Sequence, residues 1–66
     1  MNIKPTDYLT VGDIEALPEG SVVLDRDNDA WQVFDGLWYA YGESPFTAKE
    51  LFEWQPIALI WEGENG

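Results

Sequence analysis

The side chains in this chain that could bind a metal or transfer a proton are mostly carboxylates. Three of them recur at alternate positions, Asp25, Asp27 and Asp29. This spacing is typical of the opening of a calcium-binding loop. A calcium loop counted from Asp25 would also need glycine at its sixth position and glutamate at its twelfth, where the chain has Ala30 and Gly36. We therefore predict a hairpin loop whose Asp and Asn side chains support the turn, and no metal site.

The residue types that most enzymes use for acid–base and nucleophilic catalysis are missing. The chain contains no histidine and no cysteine, which removes the usual general base at neutral pH, the commonest metal ligand and the thiolate nucleophile. The serine, threonine and lysine side chains therefore have no histidine to activate them. Thirteen acidic residues among 66 form carboxylate pairs by chance, and so small a chain has little volume for a substrate cleft. We predict a protein that is not an enzyme and uses no cofactor.

The charge is strongly one-sided. Thirteen acidic residues against three basic ones give a formal net charge of −10, which repels nucleic-acid phosphates and anionic lipid, so we expect direct binding to neither. One interpretation is solubility for a small, aromatic-rich protein. The alternative is an acidic surface that imitates nucleic acid and occupies a basic protein partner. The candidate residues for that surface lie at the predicted hairpin turns: Asp25, Asp27, Asp29 and Asp35.

The composition indicates one folded domain. Apolar residues make up 45% of the chain, with four Trp, three Tyr and three Phe, which is too apolar for a disordered segment. The length fits a single domain over residues 1–66, with an ordered core at about residues 8–62 and frayed termini. No stretch is apolar enough for a signal peptide or a membrane span, so we expect a cytoplasmic protein.

Two stretches carry the signature of a helix start. Thr10-Val11-Gly12-Asp13 and Thr47-Ala48-Lys49-Glu50 each place threonine three residues before an acid, the spacing of a capping box. Pro18 and Pro56 follow closely and limit both helices to about two turns. Four strand-like runs accompany these helices: 21–25, 30–34, 37–41 and 57–61.

The turns between the first three strands predict their register. Asp35-Gly36 is the two-residue signal of a type I′ hairpin and pairs Val33 with Trp38. A four-residue loop at 26–29 would pair Leu24 with Trp31. Together the two hairpins place one set of apolar residues on a common core face: Val22, Leu24, Trp31, Val33, Trp38 and Ala40. The opposite face then carries Val23, Gln32, Phe34, Leu37, Tyr39 and Tyr41.

That second face is the candidate binding site. Phe34, Leu37, Tyr39 and Tyr41 are too apolar for a solvated sheet face, and aromatic residues of this kind anchor protein interfaces. The same residues would instead be core if the strands curled into a barrel. We therefore predict an α+β fold, a three- or four-stranded antiparallel meander with two short capped helices. It is either a partly open SH3-like barrel or a flatter sheet with both helices on one side.

Residues 17–32 also carry a recognisable pattern. The stretch Leu-Pro-Glu-Gly-Ser-Val-Val-Leu-Asp-Arg-Asp-Asn-Asp-Ala-Trp-Gln resembles small uncharacterised proteins encoded by actinobacterial phages and prophages. A Gly36-Leu37-Trp38 element, an acidic helix at 47–54 and a strand after Pro56 extend the resemblance over about residues 9–62. Asn28 stands where glycine is usual. The resemblance implies a phage accessory protein made in a bacterial host, and no activity, ligand or site residue.

These observations rank three functions. The first is a non-enzymatic interaction protein that binds a host protein through its second aromatic face. The second is the acidic nucleic-acid mimic described above. The third is self-association through a strand edge or through the tyrosines of the second face. A mimic should lose its partner steeply as salt rises, whereas an aromatic-anchored binder should not.

Overall fold

The computed structural model describes residues 8–63, which form two short helices and one four-stranded sheet. The elements in chain order are α1 (Val11–Glu15), β1 (Val22–Leu24), β2 (Ala30–Phe34), β3 (Leu37–Tyr39), α2 (Ala48–Phe52) and β4 (Ala58–Trp61). The predicted α+β class, with four strands and two short helices, is confirmed. Within residues 8–63, no helix is long and apolar enough to cross a membrane.

Both predicted capping boxes are present. The Thr10 hydroxyl accepts the Asp13 N–H at 3.2 Å, and the Asp13 carboxylate accepts the Thr10 N–H at 3.0 Å. Thr47 and Glu50 make the same reciprocal pair at 3.2 and 2.9 Å. Each box satisfies backbone donors that a helix start otherwise leaves unpaired, which stabilises helices too short to persist by propensity alone.

The four strands form an open antiparallel sheet in the order β3-β2-β1-β4. Apolar residues of both helices pack against one face of it, the inner face, where Trp38 of the edge strand β3 is only 1% exposed. Ala40 packs against this core from its margin. The buried core consists of Leu9, Ile14, Leu17, Val23, Trp31, Val33, Trp38, Ala48, Leu51, Ile57 and Leu59.

The β2–β3 hairpin has the predicted register, with Val33 opposite Trp38. Its turn residues Asp35 and Gly36 have φ values of 55° and 80°, the two left-handed positions that a type I′ turn requires. The Glu19 carboxylate accepts the Asp35 N–H at 2.9 Å from each oxygen. Glu19 therefore supports the hairpin instead of serving as a free surface acid.

The predicted β1–β2 register is wrong by one residue. Val23 lies opposite Trp31 and Leu24 opposite Ala30. The Asp25 N–H continues this register by donating to the Asp29 carbonyl at 3.0 Å, so the loop holds three residues, 26–28, instead of the predicted four. The shift moves Val23 into the core and turns Val22 and Leu24, predicted as core, to the other face, where they are half-buried. A one-residue slip reverses the facing of a whole strand.

Both edges of the sheet are partly covered by backbone. Trp38 and Phe46 exchange N–H to carbonyl hydrogen bonds of 2.8 and 2.9 Å along the outside of β3. Beside β4, Tyr8 bridges Ala58 and the Leu9 N–H donates to the Ile57 carbonyl at 2.9 Å. Covering an edge in this way removes donors and acceptors that would otherwise template pairing with another chain.

The end of the described chain is held against the loop before β1. Ser21 is fully buried, and its hydroxyl donates to the Pro18 carbonyl at 2.6 Å and accepts the Gly63 N–H at 2.8 Å. A Cβ at Gly63 would collide with the Glu19 carbonyl and the Ser21 nitrogen. The prediction of a frayed terminus is therefore wrong for Gly63. Residues 1–7 and 64–66 lie outside the described residues.

Candidate functional site

The face of the sheet opposite the core is apolar and accessible. Strand alternation places Phe34, Leu37 and Tyr39 on this outer face, as predicted. Phe34 is 46% and Tyr39 41% exposed, while Leu37 is half-buried beside them. The Phe34 and Tyr39 rings lie 6.5 Å apart at a tilt of 48°. The residues that would have been core in a closed barrel are thus available at the surface.

Tyr41 extends this outer face beyond the end of β3. Its side chain is fully exposed and borders a concavity of about 310 Å³. The concavity is lined by Val22, Ala30, Trp31, Gln32, Phe34, Tyr39, Ala40 and Tyr41. Three of the four predicted binding residues therefore share one depression. Leu37 lies next to it, opposite Phe34, without lining it.

A row of paired residues crosses the outer face from edge to edge. Tyr39 lies opposite Gln32, Gln32 opposite Val22, and Val22 opposite Trp61. Trp61 is 61% exposed and reaches this row because β4 has an irregularity where it pairs with β1. The Gln32 amide is fixed by donating to the Gly20 carbonyl at 2.9 Å.

Sequence reasoning did not assign Trp61 to this face. The sequence did not predict which strand pairs with residues 57–61. The face of the sheet on which each of these side chains lies could therefore not be predicted. Its composition alone left Trp61 equally compatible with the core and with an exposed anchor. The pairing with β1 is the information that decides between them, and it depends on the tertiary fold.

Asp25 is the structural centre of the β1–β2 loop. Its Oδ1 accepts the N–H groups of Asp27 and Asp29 at 2.8 and 3.0 Å, and its Oδ2 accepts the Trp31 indole N–H at 2.9 Å. Asp25 is only 5% exposed, so its predicted place on an acidic surface is wrong. Asn28 adopts φ 64°, a left-handed conformation that Asn tolerates.

The alternating acids do come close together. One carboxylate oxygen from each of Asp25, Asp27 and Asp29 lies within 4.8 Å of the others. Both Asp25 oxygens already accept N–H donors of the loop and of Trp31. The clustering thus follows from a loop built around one carboxylate, which is the hairpin-support role predicted for these side chains.

The exposed acids of this loop border a second concavity, of about 200 Å³. Its walls are Asp25, Asp27, Asp29, Trp31, Glu43, Phe46 and Trp54. Trp31 and Phe46 stack there with ring centroids 4.6 Å apart and planes 17° apart. The predicted acids do not form one surface, because Asp29 precedes β2 and Asp35 follows its far end.

Comparison with known proteins gives no assignment. No protein-family model, curated protein or solved structure matches this chain.

Proposed function

We propose that this protein is a non-enzymatic interaction module that binds a host protein across the outer face of its sheet. The observation that carries the proposal is the exposed group Phe34, Tyr39 and Tyr41 around one concavity of about 310 Å³. Exposed aromatic residues on a rigid scaffold bury large apolar area against a partner at low entropic cost. Contiguous exposed apolar surface of this kind marks interaction sites in small proteins.

The scaffold under this surface supports preorganised binding. The row from Tyr39 to Trp61 is set by backbone pairing across all four strands, and Gln32 within it is anchored to Gly20. Neighbouring strands lie about 4.8 Å apart, so the row spans roughly 14 Å. A surface fixed in this way loses little conformational freedom when a partner binds.

Nucleic-acid mimicry is the second candidate, and the net charge of −10 is its support. The arrangement of the acids weakens it. Asp25 is buried, Glu19 is occupied by the Asp35 N–H, and Asp35 lies at the opposite end of β2 from Asp29. A mimic needs carboxylates in a phosphate-like series, and the four predicted acids do not form one: Asp25, Asp27, Asp29 and Asp35.

Self-association is the third candidate. Phe46 covers the outside of β3, and Tyr8 and Leu9 cover the start of β4, which limits pairing between strand edges. Two copies would also each bring a net charge of −10 into contact. Both considerations favour a partner of another kind over a second copy.

We further propose a flatter sheet with both helices on one side for the finer architecture, in place of an SH3-like barrel, and a cytoplasmic phage accessory factor for the biological setting. The open strand order β3-β2-β1-β4 and the exposure of Phe34 and Tyr39 support the first, because a barrel would bury both rings in its core. The pattern in residues 17–32 supports the second.

The test is affinity capture from an actinobacterial lysate by the immobilised protein, followed by elution with stepwise increases in salt. We expect a partner that resists high salt on the wild type and is lost from the Tyr39→Ala/Tyr41→Ala variant. The matched control is Lys49→Ala/Glu53→Ala, which removes two exposed side chains of the α2 region and leaves the net charge unchanged. A partner that elutes early and ignores both tyrosines would favour mimicry instead.

A further inference from the structure

The concavity on the outer face does not end at Tyr41. Ala30, Ala40 and Tyr41 also line a neighbouring depression of about 370 Å³, whose other walls are Asp29 and Glu43. Asp29 and Glu43 in turn line the concavity beside the Asp25 loop. The three depressions share wall residues in sequence, so they adjoin one another from the apolar outer face to the acidic loop; together they are called the groove.

The groove changes chemistry along its length. Phe34 and Tyr39 lie at its apolar end, and the exposed side chains of Asp27, Asp29 and Glu43 lie at its acidic end. The hydrogen bonds of the Asp27 and Asp29 backbone N–H groups hold the loop. Their carboxylates are exposed and available to a cation.

Aromatic rings line the acidic end as well. Trp31 and Phe46 stack within it, and Trp54 forms another wall. The guanidinium of Arg26 lies 4.8 Å from the centre of the Trp54 ring, so this wall already holds one guanidinium within the molecule. The exposed carboxylates beside it suit a second one, because a guanidinium is planar and pairs with two carboxylate oxygens at once.

We propose that this groove binds a partner segment with an apolar side chain next to an arginine. The apolar side chain packs against Phe34, Tyr39 and Tyr41, and the guanidinium lies between the carboxylates of Asp29 and Glu43. The inference rests on the proposed function and adds the chemical class of the partner. Charge complementarity argues for a different protein over a second copy, because this chain has three basic residues.

The test uses two nearly isosteric dipeptides, N-acetyl-Leu-Arg-amide with a charged guanidinium and N-acetyl-Leu-citrulline-amide with a neutral urea, titrated into the isotopically labelled protein by NMR. The arginine dipeptide should shift the backbone amides of Asp29 and Glu43 and the indole N–H of Trp54. Its affinity should exceed that of the citrulline dipeptide by about fivefold or more, the range of a charge-assisted contact.

Two charge-matched variants separate the groove from general attraction to an acidic protein. Asp29→Asn/Glu43→Gln should remove the preference for arginine. Asp35→Asn/Glu15→Gln makes the same change in net charge at exposed acids that line none of the three depressions. It should keep that preference within about twofold of wild type, because Asp35 follows the end of β2 away from Asp29 and exposed charges at such separations are screened. Equal affinity of the two dipeptides, or equal weakening by both variants, would overturn the inference.

Failure of this inference differs from failure of the proposed function. A lysate partner that needs Tyr39 and Tyr41 but tolerates Asp29→Asn/Glu43→Gln would overturn the inference that the groove binds arginine. It would leave the proposed function intact. If the arginine dipeptide binds preferentially but no lysate partner depends on Tyr39 and Tyr41, the proposed function would be contradicted. The inference about arginine binding in the groove would still hold.

Discussion

At the scale of single residues, one carboxylate does more for the structure than any other acid among residues 8–63. Asp25 joins two backbone N–H groups of its loop to the indole of a core tryptophan, Trp31. The sequence predicted support of the turn by Asp side chains but placed Asp25 in the strand. Which acid turns inward depends on where the Trp31 indole lies, and local spacing does not encode that.

The first prediction follows from these bonds. Asp25→Ala should lower the free energy of unfolding by about 2–4 kcal/mol, because it leaves the Trp31 indole N–H without its buried acceptor. Urea denaturation monitored by Trp fluorescence measures the change. Asp27→Ala, at an exposed neighbour in the same loop, is the control and should change stability by less than about 0.5 kcal/mol. Equal effects of the two substitutions would contradict the structural role of Asp25.

A second residue-scale prediction concerns Gly63. Gly63→Ala should destabilise the protein by about 1–3 kcal/mol, or release the chain end, because the new Cβ meets the Glu19 and Ser21 backbone. Amide hydrogen exchange at Gly63 distinguishes these outcomes, since release exposes the N–H that Ser21 now accepts. Glu62→Ala, at an exposed adjacent position, should change neither quantity; unchanged exchange and stability in Gly63→Ala would refute the docking of this end.

At the scale of elements, the features that could be predicted are those determined by residues close together in sequence. The two capping boxes and the Asp35-Gly36 turn are determined by a few adjacent residues, and all three are present as predicted. The β1–β2 register was missed because the loop between the Asp25 and Asp29 backbones has three residues instead of four, with Asn28 in a left-handed conformation. The pairing of β4 with β1 was missed because it joins segments far apart in sequence.

The α2 cap gives the element-scale prediction. Thr47→Ala removes the oxygen that accepts the Glu50 N–H and should cost about 1 kcal/mol of stability. Thr47→Ser keeps that oxygen and should recover most of the loss. Chemical denaturation of the three proteins measures both values. A Thr47→Ser variant as unstable as Thr47→Ala would mean that the threonine methyl group, and not the cap, matters.

At the scale of the whole molecule, the decisive feature is that both helices pack on the same face of the sheet. The sequence identified Phe34, Leu37, Tyr39 and Tyr41 as sharing a face, but it left two architectures open, one of which buried that face. Only the tertiary arrangement shows Phe34 and Tyr39 exposed. The acidic surface was less predictable still, because burial of Asp25 and the separation of Asp35 both depend on the fold.

The oligomeric state tests one consequence of this arrangement. We expect the free protein to sediment as a single chain across a wide concentration range, since its charge opposes self-association and its edges are partly covered. Analytical ultracentrifugation measures the mass. A concentration-dependent dimer that Tyr39→Ala/Tyr41→Ala dissociates would assign the outer face to a second copy and contradict the proposed function.

The most direct test of the central claim is the salt dependence of the affinity for the captured partner. Dissociation constants for the wild type and for Tyr39→Ala/Tyr41→Ala would be measured from about 50 to 500 mM salt, a range over which exposed charges become strongly screened. Binding through the outer face predicts less than about a tenfold change with salt, and a loss of about a hundredfold in the variant, as expected for interface hot spots. A steep salt dependence with no effect of the tyrosines would contradict the account.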